Sequence, residues 1–442
     1  MNLRPWTRSW IMKKQFDIAD DCSFAPAEEI GSLQNRLLAE HIRYCRAASP
    51  FYREKFASFP DREYDFDLLQ ELPTTSKQDL AEHNDSFFAV PPTEIADICF
   101  TSGTTGKPCR IIYTASDLDR LAYNDACGYR AAGMCPGDKV LLTCTIDRCF
   151  IAGLAYYQGV IKFGAAAIRN GLNTLDSHAE VIGLLRPQNI VGVPSFLAKL
   201  GQYLTDHGID KSCIKRLVCI GEPARTRKLE LTPLGRKLEG FWPGAVHSTY
   251  ASSEIVTSFT ECSARCGGHP PADLAVVEIL DEAGNRVPDG EPGEVTVTPL
   301  QVTGMPLVRF RTGDISFIIP GACPCGRGTL RLGPILGRKA QMLKVRGTTL
   351  FPGAFFNVLD GLPGVQEYYM EVRGSALSDE ITVCVACSGG ASPESLGVAE
   401  ALYSRTRIHV PVVAVDAESA RKRVFGTSRK PVRFFDLRDK SL

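Results

Sequence analysis

The 442-residue chain carries 50 basic and 50 acidic residues, and 44% of its residues are hydrophobic. Because the formal net charge is zero, no overall field attracts the protein to nucleic acid or to an anionic membrane. The hydrophobic share excludes a disordered chain, and the length predicts two or more domains. We therefore expect small molecules as partners, rather than nucleic acid or a membrane.

The N-terminal region, residues 1–28, predicts a loose extension. It lacks the uninterrupted apolar segment and the cleavage site of a secretory signal. The most apolar stretch, residues 149–168, contains Gln158 and Lys162, which favours a buried strand and helix over a membrane span. Sixteen cysteines without a secretory signal are typical of a reducing compartment, so we expect a cytoplasmic protein.

The next elements predict an α/β architecture. Apolar residues at helical spacing over 29–56 predict an N-terminal helix, with Pro50 as a breaker. Short β-branched runs then alternate with helical segments such as 197–207, a pattern typical of largely parallel strands. The runs lie at 96–100, 139–143, 189–193 and 217–220.

Towards the C-terminus the pattern changes twice. From residue 275, two strands at 276–280 and 293–297 around a turn predict a small antiparallel, barrel-like unit. The last hundred residues or so have their own strands, which is enough for a compact α+β lid domain. We predict a large α/β domain of several subdomains at 29–337 and a C-terminal lid domain at 338–442.

A segment rich in Ser, Thr and Gly between two predicted strands is the sharpest local feature. Its glycines let the backbone bend around an anion, its hydroxyls can donate to phosphate oxygens, and its lysine adds charge. The spacing is neither that of a Walker loop nor that of a dinucleotide fingerprint. We interpret it as a polyphosphate loop, with a flexible surface turn as the alternative. It comprises Thr101, Ser102, Gly103, Thr104, Thr105, Gly106 and Lys107.

With further motifs downstream, the chain resembles the adenylate-forming superfamily, and within it the phenylacetate–CoA ligase type. The resemblance runs from about residue 33 to residue 442. Its other motifs are Leu72-Pro73-Thr74-Thr75-Ser76-Lys77, Gly221-Glu222-Pro223, Tyr250-Ala251-Ser252-Ser253-Glu254, the segment 305–314 ending in Asp314, Gly337-Arg338, and Lys430, Arg433 and Asp436 at K-x-x-R-x-x-D spacing.

The resemblance implies a role for each motif. The polyphosphate loop holds the β and γ phosphates of ATP, and the turn at 221–223 binds adenine, on which Tyr250 stacks. Asp314 binds the ribose hydroxyls, and Arg338, at the entry to a hinge, also meets the ribose. Lys430 is the implied catalytic lysine. The implied acyl pocket is lined by Phe150, Gly221, Tyr250, Ala251 and Ser252.

The chemistry explains why these residue types are needed. Attack of a carboxylate on the α-phosphate brings two anions together, so cations must neutralise the charge that develops. Lys430 and magnesium held by Glu254 would supply them. Each residue also has a simpler alternative. Lys430 can belong to a solvated basic face, Glu254 can be a solvated carboxylate, Asp314 a turn residue and Phe150 a core aromatic.

A second cluster of residues predicts a metal site. Cys262 and His269 are followed, farther along the chain, by Cys323 and Cys325 in a tight Cys-Pro-Cys turn. Thiolates and imidazole are the ligands that tetrahedral zinc prefers. Some relatives of phenylacetate–CoA ligase carry a similar set, so we expect a structural zinc site within residues 262–325. Cys266 is an alternative to His269, and buried thiols with a surface histidine are the alternative to a metal site.

The resemblance implies activation of a carboxylic acid by ATP to an acyl-adenylate with release of pyrophosphate, and then transfer to coenzyme A. An aromatic, phenylacetate-like acid is expected. The alternatives are a stand-alone adenylating enzyme that passes the acyl group to a carrier-protein thiol or an amine, and a non-catalytic nucleotide-binding protein. ATP, Mg²⁺, structural Zn²⁺ and coenzyme A are the expected cofactors and co-substrates; a carrier protein and a second copy of the chain are candidate partners.

The match departs from the family at the hinge. Ala340 stands where relatives carry aspartate, and an alanine lacks the side-chain contacts that hold each lid orientation. This slightly favours transfer to a carrier protein or an amine. A lysine on a mobile lid reaches the site for adenylation and then leaves, so we expect rotation of the lid domain.

Overall fold

The computed structural model describes residues 15–101, 109–345, 348–375, 378–426 and 431–438. Their contacts divide the chain into two units, which are described separately. The first contains the residues up to Glu230 and Leu238–Pro334; the second contains Leu231–Lys237 and the residues from Ile335 onward. The second unit therefore begins three residues before the predicted boundary at 338, and it also includes a short segment from the middle of the chain.

The N-terminal residues of the first unit are packed. Phe16 is buried, and its ring centroid lies 5.6 Å from that of Tyr123. The carbonyl of Ser23 accepts a hydrogen bond from the backbone N–H of Gly328 at 2.9 Å. The prediction of a loose extension is thus wrong for residues 15–26, because an aromatic anchor and backbone pairing hold this segment. The helices that follow are α1 (Ala27–Ala48), α2 (Pro50–Lys55) and α3 (Lys77–Glu82).

A hairpin and a long helix precede the main sheet. β1 (Ile95–Phe100) pairs antiparallel with β2 (Arg110–Thr114), and α4 (Ala115–Ala131) follows directly. The helix begins at a capping box, in which the hydroxyl of Thr114 accepts from the N–H of Asp117 at 3.1 Å and the Asp117 carboxylate accepts from the N–H of Thr114 at 3.0 Å. The polyphosphate loop joins β1 to β2, and its residues 102–107 lie outside the described residues.

The main sheet has the strand order β4-β3-β5-β6-β7-β8-β9. Strands β3 to β7 run parallel, and β8 and β9 add antiparallel pairs. The inner strands are apolar on both faces because helices cover both faces; Val140, Val191 and Val218 pack with Tyr156 and Val160 of α5. The elements are β3 (Lys139–Leu142), α5 (Ile151–Phe163), β4 (Ala166–Arg169), α6 (Leu175–Leu185), β5 (Asn189–Gly192), α7 (Pro194–Asp206), β6 (Arg216–Ile220), α8 (Pro233–Phe241), β7 (Val246–Ser252), β8 (Thr257–Glu261) and β9 (Gly268–His269).

This strand order indicates where a ligand crevice is expected. The chain passes from β3 outward to β4 and then returns to β5 on the other side of β3. Such a reversal opens a crevice beyond the carboxyl ends of the parallel strands, where open α/β sheets bind ligands. The predicted α/β class with largely parallel strands is confirmed.

A second, antiparallel sheet follows in the chain. β10 (Ala275–Leu280) pairs with β11 (Gly293–Pro299), which pairs with β12 (Phe310–Ser316). The N–H of Thr75 donates to the carbonyl of Arg309, and the N–H of Arg311 donates back to Thr75 at 2.8 Å. The Leu-Pro-Thr-Thr-Ser-Lys motif is thereby bridged to the start of β12.

The second unit has its own core. Leu343, Phe355, Met370, Val383 and Leu402 lie in one buried apolar cluster. Its sheet has the order β18-β17-β16-β19. The elements are β13 (Gly337–Arg338), β14 (Leu343–Val345), β15 (Thr348–Leu350), α9 (Pro352–Leu359), β16 (Val365–Ser375), β17 (Ser378–Cys387), α10 (Val398–Thr406), β18 (Val412–Ala414), α11 (Ala417–Phe425) and β19 (Phe434–Asp436).

Among the described residues, no helix combines the length and the apolar character that crossing a membrane demands.

Candidate active site and thiol–imidazole cluster

The two ends of the polyphosphate loop are paired. The N–H of Thr101 donates to the carbonyl of Cys109 at 3.0 Å, and the N–H of Cys109 donates to the hydroxyl of Thr101 at 3.3 Å. Burial, followed by the negative charge of Glu254, raises the pKa of the Cys109 thiol. The carboxylate of Glu254 therefore lies close enough to the end of the loop to act on it electrostatically.

Glu254 is carried by the turn between β7 and β8. Ser252 pairs with Thr257 across these strands, so residues 253–256 form the turn. The hydroxyl of Tyr113 on β2 donates to the carbonyl of Ser253 at 3.0 Å. Glu254 is only 9% exposed, and no Lys or Arg among the described residues forms an ion pair with it. A buried carboxylate in this position favours a bound cation.

Asp314 is joined to Tyr250 by a hydrogen bond. The Tyr250 hydroxyl donates to Oδ2 of Asp314 at 2.9 Å. Burial, followed by the charge of Asp314, raises the pKa of Tyr250 well above its ordinary value, so the hydroxyl remains a neutral donor. The charge of Glu254 acts on the same hydroxyl. Glu254, Tyr250 and Asp314 thus share one electrostatic environment, although 60 positions separate Glu254 from Asp314 in the chain.

A β-bulge places Asp314. Glu294 on β11 faces Ile315, and Thr296 faces Arg311, so residues 312–314 stand opposite Val295 alone. Gly313 in the bulge has a φ of +75°, a left-handed conformation that favours glycine. Its N–H donates to Oε1 of Glu294 at 3.1 Å. The bulge bends the strand and re-aims the Asp314 side chain, as bulges near active sites commonly do.

The turn at 221–223 follows β6, the parallel neighbour of β7. Gly221 has a φ of +77°, which explains the glycine in this turn. The carboxylate of Glu222 accepts from both the N–H and the hydroxyl of Ser195, at 2.9 and 3.0 Å. Its side chain therefore holds the first turn of α7. Gly221 and Pro223 are exposed and leave their backbone accessible to a ligand.

Phe150 lies at the start of α5 and is half-buried. The two residues before it, Arg148 and Cys149, have left-handed φ values of 63° and 51°. The carbonyl of Cys149 accepts from the N–H of Phe100 at 2.9 Å, which ties this loop to the strand that enters the polyphosphate loop. Non-glycine residues in this conformation cluster at functional sites. Sequence reasoning missed this pair.

The end of β7 carries the remaining residues of the predicted acyl pocket. Ala251 is exposed, and Tyr250 and Ser252 are half-buried. The Oγ atom of Ser252 is buried and has no hydrogen-bond partner among the described residues. A buried hydroxyl without a partner is costly, so this atom is a candidate contact for a ligand.

Asp117 joins the start of α4 to a distant segment of the chain, and sequence reasoning did not identify it. Its Oδ1 accepts from the N–H of Thr303 at 2.7 Å, and its Oδ2 accepts from the N–H of Gly304 at 2.8 Å. A Cβ on Gly304 would lie 2.9 Å from Oδ2, so only glycine fits. The capping box was readable in the sequence as Thr-x-x-Asp, but the contact with residues 303 and 304, which precede β12, was not.

The other predicted nucleotide-site residues belong to the second unit or lie outside the described residues. Arg338 forms β13 and is exposed. Lys430 lies outside the described residues. Within the second unit, Arg433 donates to Oε1 of Glu367 at 2.9 Å, and Arg438 donates to the carbonyl of Ala340 at 3.1 Å. The backbone at the predicted hinge is therefore held by an arginine from the C-terminal end.

The four predicted zinc ligands converge. One ligand atom from each of Cys262, His269, Cys323 and Cys325 lies within 4.8 Å of all the others. Sγ of Cys262 is 3.6 Å from Sγ of Cys323, and Sγ of Cys325 is 3.7 Å from Nε2 of His269. Burial lowers the pKa of His269 to about 4, and its Nδ1 pairs with the hydroxyl of Thr329 at 2.8 Å. Its Nε2 faces the thiols as part of a neutral ring.

Cys266, the predicted alternative ligand, lies beside this group. Its Sγ is 3.7 Å from Sγ of Cys323, and it accepts a hydrogen bond from Arg331 at 3.3 Å. His269, and not Cys266, completes the compact set of four.

Comparisons with known proteins identify the family of the chain and relatives of its fold. The profile of the family described as AMP-binding enzyme matches residues 54–304. The chain is 31% identical to phenylacetate-coenzyme A ligase of Thermus thermophilus over 82% of each chain. It is 28% identical to the same-named enzyme of Escherichia coli K12, over 83% of this chain and 84% of that one. A crystal structure of 2-hydroxyisobutyryl-CoA ligase in the postadenylation state shares the fold, with a TM-score of 0.82 at 21% identity over 95% of this chain and 91% of that chain.

Proposed function

This chain belongs to the AMP-binding enzyme family and is an AMP-forming acid–CoA ligase of the phenylacetate–CoA ligase type, and we propose that it activates an aromatic carboxylic acid. ATP, a carboxylic acid and coenzyme A are its substrates. The observation that carries the proposed site is the connection of three elements from distant parts of the chain. The charge of Glu254 acts on Cys109, at the end of the polyphosphate loop, and on Tyr250, whose hydroxyl donates to Asp314.

Each residue of this site would have a separate role in adenylation. The polyphosphate loop would bind the β and γ phosphates, which orients the α-phosphate for attack. Asp314 would accept the ribose hydroxyls, with Tyr250 fixing its carboxylate, and the backbone at 221–223 would face adenine. Lys430 would place a positive charge where the pentavalent phosphate develops negative charge.

Glu254 is the proposed magnesium ligand. Its oxygens are the hard donors that Mg²⁺ prefers, and its burial without an ion pair among the described residues fits a cation. Magnesium bound here would neutralise charge on the phosphates. Replacing Glu254 by Gln keeps the shape and removes the charge, so the concentration of Mg²⁺ that gives half-maximal pyrophosphate exchange should rise. An unchanged Mg²⁺ dependence would contradict this role.

The cluster of Cys262, His269, Cys323 and Cys325 is the proposed structural zinc site. Three thiols and one neutral imidazole fit tetrahedral zinc, and four protein ligands leave no position for a substrate. Its role would be to join the segment after β8 to the loop at 323–325. Metal analysis of gently purified protein should find about one zinc per chain. A content below half that value would contradict the proposal.

The proposal of an aromatic acid rests on Phe150 and on the end of β7. Phe150 is a half-buried aromatic residue at the start of α5, and the Ser252 hydroxyl, which has no hydrogen-bond partner among the described residues, offers a polar contact. A screen of pyrophosphate exchange over aryl, arylacetic and short aliphatic acids tests the proposal. Arylacetic acids are expected to give the largest kcat/KM, and a preference for aliphatic acids would overturn it.

The proposed role of Lys430 rests on its spacing from Arg433, which immediately precedes β19, and from Asp436, the last residue of that strand. Lys430→Ala should lower pyrophosphate exchange by about 100-fold or more, as loss of a transition-state cation usually does. The matched control is Lys422→Ala, on α11 of the same unit, which should change it little. Equal activity of the two variants would rule out the assignment.

A further inference from the structure

A buried arginine on α4 contacts the turn that carries Glu254. Arg120 is 0% exposed, and its guanidinium donates to the carbonyl of Val256 and to the hydroxyl of Thr257, the latter at 3.2 Å. It also donates to the carbonyls of Leu274 and Leu300, at 2.5 and 2.8 Å. Burial lowers the pKa of Arg120 to about 10, which leaves it protonated at neutral pH. One charged group therefore joins three separate segments of the first unit.

The contact with Val256 falls at a strained position. Val256 has a φ of +49°, although β-branched residues strongly disfavour the left-handed region. It is 2% exposed and lies two residues after Glu254. Such a conformation persists only when the surroundings impose it. The guanidinium holds the carbonyl of Val256, and so opposes the rotation that would relieve the strain and turn the chain at Glu254.

The other end of the turn is held by the same region of the chain. Tyr113 on β2 donates to the carbonyl of Ser253, just before Glu254. Arg120 lies seven residues after Tyr113, on α4, the helix that follows β2 directly. The segment that leads away from the polyphosphate loop therefore fixes the Glu254 turn on both sides.

We propose that Arg120 is a positioning residue for nucleotide activation, which holds Val256 in its left-handed conformation and so keeps the Glu254 carboxylate at the end of the polyphosphate loop. This inference rests on the proposed metal-binding role of Glu254. A planar guanidinium can donate to several carbonyls in fixed directions, whereas a lysine ammonium cannot reproduce that fork. The charge of Arg120 is not the critical property; its geometry is.

The test measures the dissociation constant of Mg·ATP by calorimetry, without the acid substrate, in Arg120→Lys and in the wild type. The constant should rise about 10-fold in the variant, the size expected for losing hydrogen bonds made by a charged donor. Arg46→Lys is the matched control, because Arg46 also donates to backbone carbonyls, those of Phe56, Phe59 and Pro60, far along the chain from the site. It should leave the constant unchanged.

A second substitution separates positioning from general destabilisation. Glycine adopts a positive φ without strain, so Val256→Gly in the Arg120→Lys background should return the Mg·ATP constant most of the way to the wild-type value. If Arg120→Lys weakens binding and Val256→Gly does not restore it, or if Arg120→Lys binds like the wild type, the inference is wrong.

Should Arg120→Lys fail to fold, Thr257→Val removes one of the contacts alone and should give a smaller rise in the Mg·ATP dissociation constant. No rise would overturn the proposal.

Glu254→Gln distinguishes this inference from the site on which it rests. If Glu254→Gln leaves Mg·ATP binding unchanged, the metal-binding role of Glu254 fails. If Glu254→Gln weakens binding and Arg120→Lys does not, only the positioning role of Arg120 fails.

Discussion

Strand β8 joins the proposed nucleotide site to the proposed zinc site, and the two differ in their chemistry. Its first residue, Thr257, follows the Glu254 turn, and its last residue, Glu261, precedes Cys262. At the nucleotide end the functional groups are carboxylate oxygens. At the thiol end they are sulfur atoms and an imidazole nitrogen that face one another at 3.6 and 3.7 Å.

The two ends differ in what holds them. The nucleotide end is fixed by the protein itself, through hydrogen bonds from Tyr113 and Tyr250 and the bulge at Asp314. The thiol end brings together groups that only weakly bond to each other, and the proposed zinc ion would stabilise their approach. Changes at the nucleotide end should therefore lower activity without unfolding the protein, and changes at the thiol end should lower stability.

The largest effect is expected at the thiol end. Cys323→Ser should lower the free energy of unfolding by more than about 4 kcal/mol, because loss of a structural metal is among the most damaging single changes. Urea unfolding measures this. Cys135→Ser, at an exposed cysteine, is the control and should change the value by less than about 0.5 kcal/mol. Similar small effects for both would remove the contrast between the two ends.

The next effect is expected at the nucleotide end. Asp314→Asn should lower kcat/KM for ATP in pyrophosphate exchange by about 100-fold, because the variant lacks the charge of the proposed acceptor for the ribose hydroxyls. The thermal midpoint should stay near that of the wild type. Asp281→Asn, at a half-buried carboxylate in a turn of the same sheet, should leave kcat/KM unchanged. Unfolding of Asp314→Asn would show that the nucleotide end also carries stability.

A smaller effect sharpens the link between Tyr250 and Asp314. Tyr250→Phe removes only the hydroxyl and should raise KM for ATP by about 10-fold, as expected for a hydrogen bond to a charged group. In the Asp314→Asn background the same change should have much less effect, because the partner is already altered. Additive losses in the double variant would mean that Tyr250 acts independently of Asp314.

The smallest effect concerns the stability of the protein at low pH. His247 on β7 lies near the thiol end, since the neighbouring Ser248 donates its N–H to Glu261 at 2.9 Å. Burial lowers the pKa of His247 from 6.5 to about 4. The unfolded chain therefore binds more protons between these two values, and stability falls as the pH is lowered from 6.5 towards 4.

At pH 5.5 protonation of this histidine in the unfolded chain should lower the free energy of unfolding by about 1 kcal/mol. Comparison of urea unfolding at pH 7.5 and 5.5 measures the loss. His247→Gln removes the titrating group, so the pH dependence should become shallower by that amount. A slope identical to that of the wild type would contradict the assignment.

Much of the fold was predictable from local patterns. The alternation of β-branched runs and helical segments predicted the parallel strands, and the hairpin pattern after residue 275 predicted β10 and β11. The N-terminal residues were the clear failure. Phe16 packs against Tyr123, more than a hundred residues away, and no local pattern encodes such a contact.

The sites were predictable as sets of residues, but their connections were not. Motif order pointed to Glu254 and Asp314, and residue types pointed to the four thiol and imidazole residues that converge. Two contacts were not foreseen. The Glu222 carboxylate accepts a hydrogen bond from Ser195, and the Asp117 carboxylate accepts one from Thr303. Both contacts join residues far apart in sequence, and side-chain packing decides them.

The amino-acid sequence alone therefore determined the chemistry of this protein: which segments form strands, which loop suits phosphates, and which thiols suit a metal. These properties depend on residue types and short spacings. Only the tertiary structure decided that one strand, β8, leads from the turn of Glu254, the proposed magnesium ligand, to the proposed zinc ligands, and that Arg120 donates to the carbonyl of Val256 in that turn. The physical reason is that a buried guanidinium takes its partners from whichever carbonyls the packed chain brings within its reach.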